Sequence, residues 1–119
     1  MDAVFFVAAG GALGAWCRYV TGLAAAAAFG SSFPAGTLIV NVVGSFVIGS
    51  VYATGPSALV GDFAMQGFCG ALTTFSTFSL DSFRLFQQGR VVRGVVNVLL
   101  NMVLGLGAAA LGLSLFSVD

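Results

Sequence analysis

The chain has 119 residues, of which 59% are hydrophobic and 7% are charged: four Arg, four Asp and no His. Soluble domains carry about 25% charged residues, so a water-facing globule could not be covered by this set, and the chain reads as an integral membrane protein in a lipid bilayer. Net charge is zero with no basic tract, which argues against nucleic-acid partners.

Four apolar runs follow one another, at about residues 3–29, 34–54, 58–86 and 91–116, each long enough for the ~20 residues a spanning helix needs. The N-terminal run lacks a basic leader and is too long for a signal peptide, so it is taken as part of the mature chain. The turns are short: Gly30-Ser31-Ser32-Phe33, Gly55-Pro56-Ser57 and Gln87-Gln88-Gly89-Arg90. Pro34 suits a helix start, and Gly55-Pro56 a helix end. The expectation is one four-helix transmembrane domain over residues 1–119, an all-α membrane protein with no soluble module.

Small or polar residues recur every fourth position, which gathers them on one helix face. The first run has Gly10, Gly14, Arg18 and Gly22. The second has Thr37, Asn41, Ser45, Gly49 and Ala53, and the fourth has Asn97, Asn101, Gly105 and Ala109. Glycine on such a stripe serves close packing of membrane helices, whereas a carboxamide in hydrocarbon is a cost that suggests a polar lining. Asn41, Asn97 and Asn101 are therefore pathway candidates. Arg18 requires acceptors or an interface, serving either as an anchor or as an attractor of anions at a vestibule. Asp62 sits early in the third run. Asp81 and Arg84, three apart, are expected to pair on one helical face. Cys17 and Cys69 read as two separate thiols rather than a disulfide or metal pair.

The third run holds the least helix-compatible stretch, Gly70-Ala71-Leu72-Thr73-Thr74-Phe75-Ser76-Thr77-Phe78-Ser79. Clustered Thr and Ser compete for backbone hydrogen bonds and weaken a helix. In lipid such a weakness is tolerated only where protein or a polar cavity surrounds it. A helix break is expected here, offering hydroxyls and free carbonyls. Phe75 and Phe78 should share a face if the helix resumes.

Lys and Arg placement gives a one-sided bias: Arg90 and Arg93 lie in or beside the third loop, with Arg84 and Arg18 nearer that side, and none near the termini or second loop. The positive-inside rule then puts the third loop in the cytoplasm and both termini outside.

Taken together, Gly10-Gly11-Ala12-Leu13-Gly14-Ala15 with Arg18-Tyr19, Gly36-Thr37-Leu38, Val40-Asn41, Gly44-Ser45-Phe46, Gly67, Gly70 and the run Thr73-Thr74-Phe75-Ser76-Thr77-Phe78-Ser79 resemble the Fluc/CrcB family of fluoride-specific ion channels over nearly the whole chain. The resemblance implies a passive, fluoride-selective channel that exports cytoplasmic fluoride across the bacterial cytoplasmic (plasma) membrane. It implies an antiparallel, dual-topology dimer whose third helices break near the membrane centre. A structural sodium ion would be held at the two-fold axis by the backbone carbonyls of Gly70 and Thr73. The fluoride pathways would use the ring edges of Phe75 and Phe78, the amide of Asn41, the hydroxyls of Ser76 and Thr77, and Arg18 at the cytoplasmic vestibule. Asn97 and Asn101 stand where the family usually has a tyrosine and a serine, and Asp81 where it commonly has a glutamate. The arginine bias leaves two partners open: a second copy of this chain, or a paralogous subunit of fixed, opposite orientation.

Two rivals share the four-helix outline. A small multidrug or cation transporter needs a membrane carboxylate in its first span, where this chain has only Asp2 at the extreme start. A non-transporting assembly subunit would have a smooth third helix. An enzyme is not expected, because no nucleophile–base pair or metal cluster can be assembled from these residues.

Overall fold

In the computed structural model, which describes residues 2–30 and 32–117, every regular element is helical. The first run forms α1 (Asp2–Phe29), the second α2 (Ala35–Ala53) and the fourth α6 (Val91–Leu115). These three are long and apolar enough to cross a membrane. Their apolar side chains are mostly not buried within the subunit; only 11% of the most apolar stretch of α1 is. A surface of this kind faces lipid or another subunit, not water.

The third run is not a single helix. It opens with α3 (Ala58–Val60), passes into a π-helix (Gly61–Cys69) and a last short turn, α4 (Gly70–Leu72), and then stops. Thr73 and Thr74 are extended, with φ/ψ of −80°/154° and −153°/115°. Helix resumes as α5 (Phe75–Gln87), whose 13 residues span about 20 Å at 1.5 Å each, too short to cross alone. The expected break is thus present and confined to two threonines. The π-helical turn was not expected from the sequence, since nothing in Gly61–Cys69 distinguishes bonding to the fifth residue from bonding to the fourth.

Turn chemistry fixes the ends. Ser57 Oγ accepts from the Val60 amide at 3.4 Å to start the third run. Gly55 (φ +64°) and Gly89 (φ +79°) take left-handed conformations that a side chain would disfavour. At Gly89 the Arg90 amide reaches back to Leu85 O (2.8 Å) and Gly89 to Phe86 O (3.1 Å), closing α5.

Packing is by small residues against backbone. Gly10 of α1 rests on Phe63 O and Phe68 N, the two ends of one π-helical turn, and Gly14 rests on Phe68 O and Leu72 N. On the other side of the bundle α2 packs against α6, with Gly49 against Ala109 O and Gly112 against Phe46 O. Gly44 of α2 receives the Thr73 methyl, so α2 can lie directly over the break. The glycine stripes expected from the sequence are therefore contact seams. The two cysteines are unpaired, Cys69 buried and Cys17 half-buried.

These seams give a direct test. Gly14→Val places its Cβ on Phe68 O and Leu72 N, and should cost about 1–3 kcal/mol through overpacking. Gly107→Ala meets nothing within 4 Å and should leave the thermal midpoint of the detergent-solubilised protein unchanged or slightly raised. Equal midpoints for Gly14→Val and the unsubstituted protein would contradict this packing.

Candidate functional site

An unbroken helix would give the Thr74 amide to the Gly70 carbonyl and the Thr77 amide to the Thr73 carbonyl. Neither bond forms. The Thr74 N–H instead donates to Asn41 Oδ1 of α2 at 2.9 Å. The Thr77 N–H donates to Thr74 Oγ1 at 3.2 Å, an N-cap that starts α5. The Gly70 and Thr73 carbonyls are thereby deprived of their helical partners. Thr73 Oγ1 turns back to donate to Cys69 O at 2.8 Å, tying off the last turn before the break.

Resumption of the helix at Phe75 puts Phe75 and Phe78 on one face, with ring centroids 5.7 Å apart and planes at 50°. Both rings line a groove of about 370 Å³ shared with Asn41, Gly70, Thr73 and Asn101. Phe75 is 79% exposed, so the groove lacks a wall on its outer side. The positive end of the α5 dipole opens beside these rings, an arrangement that favours anions. Among the described residues, no charged side chain lines this groove.

Thr74 is also part of the wall of a second cavity, of about 270 Å³, formed with Arg18, Tyr19, Thr37 and Thr77. Thr37 and Thr77 in turn border a third, of about 430 Å³, which opens beside the first and third loops and holds Asp81, Arg84, Gln88 and Arg90. Shared wall residues thus join three cavities in a file, uncharged at the break and charged toward the loops.

Arg18 is half-buried, about 16 Å of helix before the end of α1 at 1.5 Å per residue. Its Nε is enclosed and has no hydrogen-bond partner among the described residues. Asp81 is not paired with Arg84 as its spacing suggested. Asp81 Oδ2 accepts the Thr37 hydroxyl of α2 at 3.0 Å. The half-buried Asp81 is bonded to a neighbouring helix, whereas Arg84 is exposed, where an ion pair gains little after screening and lost side-chain freedom.

The sequence-based candidates therefore separate. Asn41, Phe75, Phe78, Gly70, Thr73 and Asn101 meet at the first groove, while Arg18 and Thr77 meet at the second. Ser76 lies on the exposed surface of α5. Asn97 is 0% exposed, inside the bundle between α5 and α6, where its amide donates to Ser82 Oγ at 2.9 Å. Sequence reasoning missed Ser82, whose only sign is its position one turn after Phe78. Thr37 and Thr74 were visible within motifs but had no role assigned before their neighbours were known.

The family model for "CrcB-like protein, Camphor Resistance (CrcB)" matches residues 5–113. The chain is 49% identical over 120 residues to the fluoride-specific ion channel FluC of Shewanella amazonensis, covering 94% of each protein. It is 47% identical to the FluC of Shewanella halifaxensis, over 86% of each. Against the FluC of Vibrio parahaemolyticus the identity is 45%, over 92% of this chain and 91% of that one. With the matched segment running from α1 to the last turns of α6, the chain belongs to the CrcB family.

Proposed function

We propose that this protein is a fluoride-selective channel of the bacterial cytoplasmic membrane, conducting passively and serving to lower cytoplasmic fluoride. The observation that carries the proposal is the groove at the break, where two phenylalanine rings, two asparagines and two threonines converge with no charged side chain among the described residues. An aromatic ring has a positive edge and can hold a small anion without a formal charge. The second amide proton of Asn41 and the Thr77 hydroxyl, which donate to no acceptor among the described residues, would replace water that fluoride sheds, and a site without a buried cation lets the ion leave again. Phe75, Phe78, Asn41, Ser76 and Thr77 are proposed to line the pathway, with Asn101 at its inner wall. Arg18 would raise the local anion concentration at the charged end. Asn97 serves the same pathway from inside the bundle.

The direction of flow follows from physics. Hydrogen fluoride crosses membranes neutral and dissociates in a less acidic cytoplasm, and the membrane potential then drives the anion outward. No coupled energy source is needed.

The open outer side of the groove and the exposed rings of Phe75 and Phe83 (79% and 61%) support a second subunit packed on this face. That partner is proposed to be an inverted copy of this chain or a paralogous subunit of opposite orientation. The carbonyls of Gly70 and Thr73, two of the four that a helix end deprives of amide partners, would suit a small hard cation such as sodium. When bound, the ion would supply positive charge to those oxygens and tie the two breaks together.

Purified alone and reconstituted in liposomes, the protein should release fluoride rapidly and chloride slowly, as read by ion-selective electrodes. Phe75→Ala and Phe78→Ala should each reduce fluoride release about tenfold or more, the rims being the main contacts. Fluoride release unchanged by both substitutions would contradict the pathway. Silence of the well-inserted protein alone, with release restored by a paralogous subunit, would select the two-chain assembly; silence in both preparations would reject the channel. Single cysteines added at either terminus and labelled in intact cells should be reached from both sides if the chain inserts both ways. Labelling from the outer side alone would select the fixed orientation.

A further inference from the structure

Six polar groups from three helices form one chain of hydrogen bonds, and its direction is forced. The Thr74 backbone N–H can only donate, so Asn41 must present Oδ1 to it. Asn41 Nδ2 is then left to donate, and it does so to Asn101 Oδ1 at 3.0 Å. Asn101 Nδ2 donates to Asn97 Oδ1 at 3.0 Å, and also to the Asn97 carbonyl at 2.8 Å. Asn97 Nδ2 donates to Ser82 Oγ at 2.9 Å. Ser82 has only its hydroxyl proton left to give, and gives it to the Phe78 carbonyl at 2.9 Å.

The two ends of this relay bracket one helical turn. It begins on the amide just before Phe75 and finishes on the carbonyl of Phe78. Its inner members are enclosed: Asn97 is 0%, Ser82 6% and Asn101 9% exposed. Both polar atoms of the Asn97 side chain are bonded, and it lines none of the three cavities. We infer that Ser82 and Asn97, acting through Asn101, are positioning residues that fix the Phe75–Phe78 turn, and that Asn97 does not touch the permeating ion. The effect on conduction rests on the channel proposed above; the mechanical linkage does not.

Removing one partner strands the other in a dry interior, whereas replacing both by apolar groups is nearly neutral. Ser82→Ala and Asn97→Leu should each lower fluoride release about tenfold, and the double variant should lose no more than the worse single one. The position of the ring is read separately by 19F NMR with 4-fluorophenylalanine at position 78, which should shift in both single variants. Losses that multiply in the double variant, or a 19F resonance that does not move, would overturn the inference. Ser82→Ala removes one oxygen and keeps the test open if Asn97→Leu does not fold. If the unsubstituted protein conducts no fluoride either alone or with a paralogous subunit, the channel proposal fails, yet the shift of the 19F resonance still decides the linkage.

Discussion

The structure depends on one constraint: a helix broken inside a membrane protein must find other partners for the backbone groups it releases. An unpaired N–H or C=O in hydrocarbon costs several kcal/mol. The break at Thr73–Thr74 meets this for the Thr74 and Thr77 amides with Asn41 Oδ1 and the Thr74 hydroxyl. The arrangement dictates much of the rest. Asn41 can reach Thr74 only because Gly44, one turn along α2, lets the Thr73 methyl close to the helix axis. On the far side, Gly10 and Gly14 bring α1 onto the backbone of the segment leading into the break. On the acceptor side, the Gly70 and Thr73 carbonyls lose the helical partners that the Thr74 and Thr77 amides would have been.

Much of this was legible in the sequence, for identifiable reasons. The spans follow from hydropathy, and the ends of α1, α2 and α6 fall within a residue or so of the expected bounds. The break was legible because Thr73-Thr74 and Ser76-Thr77 cluster hydroxyls in an apolar run, and the shared face of Phe75 and Phe78 because helical spacing resumes at once. What stayed hidden depends on neighbours that no spacing reveals. A stripe of Asn97, Asn101 and Gly105 defines a helix face but not what that face meets. Asn97 meets Ser82 in the interior, whereas Asn101 reaches the groove. Asp81 and Arg84 had the right spacing to pair, yet Thr37 of α2 takes the carboxylate. The π-helix had no sequence signal, and its value is visible only once Gly10 is seen resting on one of its turns.

Charge placement joins the fold to the function. Arg18, Asp81, Arg84 and Arg90 all border the cavities toward the first and third loops, while the groove at the break is walled by amides, hydroxyls, ring edges and thioethers. An anion would be concentrated at a charged mouth and then stripped of water where only neutral donors hold it. This order gives entry without a trap.

The most direct test is the reversal potential of the reconstituted protein in a planar bilayer, with a fluoride gradient across it and equal chloride on both sides. A neutral, fluoride-fitted pathway predicts reversal at the equilibrium potential for fluoride. Reversal near zero, or at the potential of the accompanying cation, would show that the groove at Thr73–Thr74 does not select the ion for which its donors are suited.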